Sequence, residues 1–337
     1  MRTLIIGIGA IGGLIAARLS GVGSPVWLAT RTDQSASVLR MAGLQLTGMG
    51  VEIAVEKLNV AGLNSYMGES FDFIVLATKA HDALDVAPKL LSRLTPGGVL
   101  LPLQNGSIPL MLAERLGADN LLGGISNFGA TMVRPGLYEQ RNNGHLLIGE
   151  LAGGASERAE RIRQWLGQAI NVRIAQNFSG AVWAKLLLNC SVTTIGAIAG
   201  QTMRQYIATP DGRELFRRTY DEALRVALAS NARPETMIVE PIPPSWSGQS
   251  APSPAYAAWL DRILNGYGDL KPSMLQDFEN GRKTEIKFIN GYIVSLGQEL
   301  SIPTPANAAI VETVLTIERR QITPDPSLLG RTLHASK

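Results

Sequence analysis

Short, continuous apolar runs recur through the first half of the chain, each separated from the next by a stretch with helical spacing. Thr3-Leu-Ile-Ile-Gly-Ile reads as a buried strand, followed by a helix through Leu19. Pro25-Val-Trp-Leu-Ala reads as a second strand, Phe71-Asp-Phe-Ile-Val-Leu-Ala as a third and Gly98-Val-Leu-Leu-Pro-Leu as a fourth. Strands that are apolar throughout, rather than at alternate positions, are covered on both faces, and the helices between them supply the cover. The pattern predicts an α/β domain built on a mainly parallel sheet. Residues 121–149 are richer in Gly, Thr and Tyr, which predicts extra strands closing that sheet. A helical stretch at 155–169 and a short last strand, Val172-Arg-Ile-Ala, complete this half.

Past about residue 177 the strand-like runs stop. Helical segments at 181–199, 210–231, 273–280, 284–299 and 305–320 predict an all-α second domain. The expected organisation is a first domain over 1–177, a helical domain over 178–325 and a tail over 326–337 that contains His334. Between 233 and 256 stand six of the 18 prolines, at 234, 241, 243, 244, 252 and 254, a density that excludes a regular helix. That segment reads either as a surface connection or as a lid over a binding site.

Composition narrows the picture by exclusion. The 337 residues are too many for one ordinary domain and enough for two cores. Hydrophobic content of 45% with 18% charged residues describes a globular chain. The 31 basic and 28 acidic residues nearly balance, without like-charge runs or a basic stripe interleaved with aromatics, which argues against a nucleic-acid partner. A single cysteine, Cys190, excludes an intrachain disulfide and a cysteine metal cluster, and fits a reducing cytoplasm. No His and carboxylate spacing suggests a metal site, and His81 and His145 read as structural or surface residues. The apolar stretch at 3–17, behind Arg2, is too short to span a membrane as a helix, and its glycines would break the helical core of a signal peptide. The expectation is a cytoplasmic enzyme without a membrane partner.

Candidate chemistry starts at Gly7, Ile8, Gly9, Ala10, Ile11 and Gly12, a G-x-G-x-x-G motif that follows a predicted strand and opens a predicted helix. In that context the first glycine permits a tight turn, the second lets backbone approach a pyrophosphate, and the third lets helix and strand pack closely. The first domain is therefore expected to be a dinucleotide-binding Rossmann domain. The second strand ends Trp27-Leu-Ala-Thr-Arg31, with no carboxylate where a ribose 2′-hydroxyl would need one. The Arg31 guanidinium suits a 2′-phosphate instead, so NADP(H) is the expected cofactor. Asp33 stands two residues late and reads as the cap of the next helix.

Further segments follow in order: Ala77-Thr-Lys79, Leu103-Gln-Asn105-Gly, Trp183-Ala-Lys185-Leu-Leu-Leu-Asn189, Ser273-Met-Leu-Gln-Asp277 and Lys283-Thr-Glu285-Ile. With the glycine motif they resemble the 2-dehydropantoate 2-reductase (ketopantoate reductase) family over residues 1 to about 320, with extra length around 233–256. The resemblance implies NADPH-dependent reduction of 2-dehydropantoate to (R)-pantoate, a step towards pantothenate and coenzyme A. It implies Lys185 as catalytic acid and Glu285 as catalytic, substrate-binding carboxylate. Lys79 and Asn105 would bind the cofactor at its nicotinamide end. Asn105, Asn189, Ser273 and Asp277 would hold the substrate.

Each residue alone has a plainer reading. Lys185 could be a solvated helix lysine, Glu285 a first-turn acid favoured by the helix dipole, and Lys79 the end of a strand. Ser273 could be an N-cap after Pro272, and Asp277 a solvated helix residue. The chain also departs from the family, with Thr193-Thr194 where an Asn-Pro pair is usual, and Met203 and Leu270 where some members carry asparagine. These substitutions leave the exact substrate open. A reductase of another branched 2-oxo acid, or of an imine, is a second reading, and a non-catalytic NADP(H) sensor a third. The alanine-rich helices of the second domain can pair two copies as a homodimer or form one copy's core, and the sequence leaves both open.

Overall fold

The strands are β1 (Thr3–Ile6), β2 (Val26–Thr30), β3 (Leu44–Gly48), β4 (Val51–Val55), β5 (Asn59–Gly62), β6 (Phe71–Leu76), β7 (Leu94–Pro102), β8 (Gly123–Ser126), β9 (Ala130–Arg134), β10 (Leu137–Gln140), β11 (Leu146–Gly149) and β12 (Val172–Ile174). Between them run α1 (Ala10–Gly21), α2 (Asp33–Ala42), α3 (Ala80–Leu91), α4 (Ile108–Leu116) and α5 (Glu157–Gly167). The computed structural model describes residues 1–66, 68–244 and 253–336, and contacts divide the chain into two units, Met1–Phe178 and Ser179–Lys337.

In the first unit, five strands form an all-parallel sheet in the order β5-β2-β1-β6-β7. β1 is central and buried at all four positions, as its unbroken apolar run requires. This is the Rossmann-like core expected from the sequence. The strands at 121–149 do not close that sheet as expected. They join two smaller sheets, ordered β4-β3-β10-β9 and β12-β11-β8, and a lone bridge between Leu100 and Leu121 links the region to β7. The physical reason lies in β3 and β4, whose turn is made by Met49 and Gly50 at positive φ. β3 buries alternate residues, so it carries one dry face and seeks an antiparallel partner. That pair offers β10 an edge of its own.

The smaller sheet reaches the core through Tyr138 of β10. Its ring lies so close to Gly13 of α1 that a Cβ there would stand 2.0 Å from Cε1. The fully buried phenol donates to the Ile8 carbonyl at 3.1 Å, and burial pushes its pKa up to about 12. At the start of α2 the cap is Thr32, whose hydroxyl accepts from the Ser35 amide at 3.2 Å, rather than Asp33 as expected. Asp33 is already helical, and its carboxylate accepts from the Gly62 amide at 2.9 Å, tying α2 to β5.

The second unit is helical: α6 (Phe178–Leu188), a π-helical turn (Asn189–Thr193), α7 (Thr194–Ala199), α8 (Met203–Ile207), α9 (Pro210–Ala229), α10 (Pro254–Tyr267), α11 (Ser273–Glu279), α12 (Asn290–Glu299), α13 (Pro305–Glu318) and α14 (Leu328–Ala335). The run Phe178–Ala199 has the length and hydropathy to cross a bilayer, yet 83% of its apolar window is buried inside the protein. Where one helix over 284–299 is expected, a 3-10 turn (Ile286–Phe288) precedes α12. Glu285 therefore ends a loop and is not a helix first-turn acid. The expected tail is in fact α14, because Leu328, Leu329 and Thr332 recur on one face and are buried. Of the proline-rich segment, 245–252 lies outside the described residues, and the lid reading falls largely there. The described part has no helix and is tied down by Tyr220, which donates to the Pro241 carbonyl at 2.8 Å, and by Trp259, which donates to that of Glu240 at 2.8 Å.

The contact between Gly13 and Tyr138 sets a sharp steric limit. Gly13→Ala should destabilise the first unit by roughly 1–3 kcal/mol through overpacking, read as a lower urea midpoint with an unchanged slope.

Candidate functional site

Four of the singled-out features of the first unit follow the carboxyl ends of the parallel strands, where open α/β sheets bind ligands. The glycine turn follows β1, Arg31 follows β2, Lys79 follows β6 and Asn105 follows β7. Gly7 takes φ +89°, and a Cβ there would stand 2.6 Å from the Thr78 amide nitrogen, so the turn admits no side chain. A Cβ at Gly9 would meet nothing within 4 Å. Gly9 is also the N-cap of α1 and supplies no side-chain hydrogen bond, so the first-turn amides are left to an anion. Open space and amide donors together fit a pyrophosphate.

Lys79, the N-cap residue of α3, and Asn105 are both exposed. The loops that carry them are joined by buried Gln104, whose amide donates to the Leu76 carbonyl at 2.9 Å and the Thr78 carbonyl at 3.0 Å. Arg31 is 78% exposed and reaches Asp82 of α3 at 2.5 Å. An exposed pair of this kind is weak enough to open for a phosphate.

In the second unit, Lys185 sits on the otherwise buried wall of α6. Burial disfavours its charged form and lowers its pKa to about 8, while the Glu285 carboxylate acts in the opposite sense. The fold thus brings into electrostatic reach two groups a hundred residues apart in sequence. A lysine tuned this close to neutrality can hold or release a proton at ordinary pH.

Asn189 opens the π turn that follows. A hydrogen bond spanning five residues changes the stagger, so Asn189 does not stand simply one α-turn beyond Lys185. Side chains serve the carbonyls in and around this widened turn. Ser191 donates to Leu187 at 2.8 Å, Thr194 to Cys190 at 2.6 Å and Tyr206 to Ser191 at 2.9 Å. Ser273 and Asp277 lie on α11, which packs on α7. Ser273 is exposed and is the first helical residue rather than the cap, which is Pro272; Asp277 is buried.

The family model of the ketopantoate reductases, PanE/ApbA, matches residues 3–153, and its C-terminal counterpart matches residues 177–318. The chain belongs to the ketopantoate reductase family. It is 26% identical over 321 residues to the 2-dehydropantoate 2-reductase of Archaeoglobus fulgidus, covering 94% of this chain and 98% of that one. A PanE/ApbA family ketopantoate reductase from Ralstonia eutropha JMP134 shares the fold at a TM-score of 0.80 and 24% identity, over 95% of this chain and 99% of the other. A D-mandelate dehydrogenase solved with NADH and anilino(oxo)acetate shares it equally, at 0.80 and 22%, over 95% and 99%. Ketopantoate reductases are thus a family of oxidoreductases whose fold neighbours include an enzyme of another 2-hydroxy acid.

For this ketopantoate reductase family member, three residues stand out that the sequence reading passed over. Gln104 lies inside the Gln-Asn-Gly segment, so its position was visible although its role as a tie was not. Tyr138 and Gly13 touch only through tertiary packing and leave no local signal. Among the described residues, no group of three or more His, Cys, Asp or Glu is arranged to hold a metal ion.

The depressed pKa of Lys185 has a thermodynamic consequence. Its folded-state pKa of about 8 lies below the ordinary 10.5, so the unfolded chain binds more protons between those values, and stability rises with pH across that window. Lys185→Met should therefore be more stable than wild type at pH 7, by on the order of 1–2 kcal/mol. The gap should close as the pH passes from about 8 to 10.5, measured by paired urea titrations.

Proposed function

We propose that this chain is an NADPH-dependent 2-oxo acid reductase that converts 2-dehydropantoate to (R)-pantoate in the cytoplasm, on the path to pantothenate and coenzyme A. The observation that carries the reading is Lys185, held near neutrality by burial against the pull of Glu285, within a member of this family. A bound reduced nicotinamide supplies the hydride for the 2-oxo carbon. Gly7 to Gly12 and the first amides of α1 hold its pyrophosphate, Arg31 takes the 2′-phosphate, and Lys79 and Asn105 serve the nicotinamide end. As negative charge builds on the carbonyl oxygen, the Lys185 ammonium stabilises it and delivers the proton from Nζ. Glu285 keeps that ammonium charged and accepts from a substrate hydroxyl. Asn105, Asn189, Ser273 and Asp277 orient the substrate for attack.

A second reading keeps the reaction and changes the substrate. Leu270 is 58% exposed beside α11, and Met203 is buried at the start of α8, so both present hydrocarbon where some family members carry amides. That favours another branched 2-oxo acid with an apolar substituent, since a site built without donors discriminates poorly for a hydroxyl. The pairing of Arg31 with Asp82 likewise leaves room for NADH, because Asp82 can accept from a ribose hydroxyl.

The decisive assay follows NADPH absorbance with 2-dehydropantoate. Lys185→Ala should lower kcat by roughly 10²–10⁴ with cofactor binding intact. Wild-type reduction should fall as the pH rises through about 8, because the reaction needs the protonated lysine. Absence of turnover with 2-dehydropantoate, alongside turnover of an apolar 2-oxo acid, selects the second reading. Arg31→Ala should raise the KM for NADPH roughly tenfold and leave that for NADH unchanged, and equal changes would remove Arg31 from the cofactor site.

A further inference from the structure

Behind the Lys185 and Glu285 segments lies a buried polar chain whose members play no part in the chemistry above. Glu222 of α9 accepts from the amides of Ala306 and Asn307, each at 2.9 Å, and so caps the start of α13. It also accepts from Asn307 Nδ2 at 2.9 Å, and the same nitrogen reaches the Thr219 carbonyl at 3.1 Å. Asn307 Oδ1 in turn accepts from Asn290 Nδ2 at 3.0 Å, and that nitrogen also donates to the Cys190 carbonyl at 3.0 Å. Asn290, Asn307 and Cys190 are fully buried, and Glu222 is nearly so.

The position of the last bond matters most. Cys190 lies five residues beyond Lys185, in the π turn, and Asn290 lies five residues beyond Glu285, at the start of α12. One hydrogen bond therefore joins the segment carrying the ammonium to the segment carrying the carboxylate. A helical run and a short 3-10 turn are stiff connectors, so a tie at this distance fixes what lies five residues back on each side. The rings of Trp183 and Tyr292, with centroids 5.9 Å apart, brace the same two segments.

Burying these amides unpaired would be costly, and their partners are satisfied in a single arrangement. Asn290 spends both its hydrogen bonds through Nδ2, while its Oδ1 is buried without a hydrogen-bond partner. A residue placed only to stabilise a core would not need to orphan its own carbonyl. The orientation is dictated by two acceptors, Cys190 and Asn307, that must both be reached by one nitrogen.

We propose that Asn290 is a positioning residue for the Lys185–Glu285 pair, setting their separation by tying the π turn after the lysine to the helix start after the glutamate. This rests on the reading of Lys185 as the proton donor. The titratable groups facing the tie are Cys190 and Glu222, with Tyr206 beyond Cys190 and the pair itself on the far side.

The test reads the lysine directly and needs no turnover. The pKa of Lys185 is obtained from the pH dependence of the stability difference between Lys185 and Lys185→Met forms, first in the wild-type background and then in Asn290→Leu. With the tie cut, Glu285 loses its hold, and the lysine pKa should fall by roughly one unit below its wild-type value. At pH 7 kcat should fall roughly tenfold or more while the Kd for NADPH changes less than about twofold. Thr194→Val removes the other side-chain donor to the Cys190 carbonyl without touching the tie, and should leave the lysine pKa unmoved. Should Asn290→Leu fail to fold, Asn290→Ser, which keeps a shorter donor, is measured in its place and should give a smaller shift in the same direction. An unchanged pKa, a rise towards 10.5, or an equal shift in Thr194→Val would each overturn the proposal. If instead the pKa falls as expected but Lys185→Ala turns over normally, the tie stands and the assignment of the proton donor is what fails.

Discussion

An ammonium that has to be charged for its chemistry is carried on the most apolar helical run of the chain, and the second unit is arranged around that conflict. Water would solve it at once, by restoring the ordinary pKa, but then the group would be a poor acid near neutrality. The structure instead removes most of the solvent and returns one opposite charge, Glu285, so that the two influences nearly cancel. Burial wins by a modest margin. The margin depends on how firmly the carboxylate is held, which makes the backbone around both residues part of the proton chemistry.

The π turn after Lys185 belongs to the same arrangement. A widened turn takes carbonyls off the α-helical ladder, and in a dry interior each of them needs a donor. Ser191, Thr194, Tyr206 and Asn290 supply those donors from the turn itself, from α8 and from α12. Thr194 occupies the place where the family usually carries proline, and its hydroxyl serves a carbonyl in the turn. The first unit handles a comparable constraint differently. There the first amides of α1 are left open for a ligand, and Tyr138 and Gln104 hold the carbonyls behind them.

Much of this architecture was legible in the sequence, for reasons that differ by element. The parallel sheet showed itself because strands dry on both faces leave unbroken apolar runs, as at Phe71–Leu76. The glycine turn showed itself because Gly7 and Gly12 are fixed by sterics within one motif. The pair β3 and β4 passed unnoticed because five-residue strands with one wet face carry few apolar residues. The π turn had no chance of being read, since residues 189–193 look helical and the extra residue is imposed by packing. Helix α14 was mistaken for a tail because its apolar face spans only two turns. Lys185 and Glu285 could be singled out by their motifs, but only the folded chain brings them within reach of one another.

The π turn also fixes a reading frame. In an α-helix each residue advances the side chains by about 100°, so a turn holding one extra residue rotates everything beyond it by that amount relative to an uninterrupted helix. α7, with α11 packed on it, is therefore set in register with α6 by the length of a five-residue segment. Losing one residue there would give a more regular helix and a better local backbone. It would also swing Lys185 away from its present bearing on α7 and α12. Point substitutions at residues 189–193 are open to drift, whereas a change of segment length is closed to it.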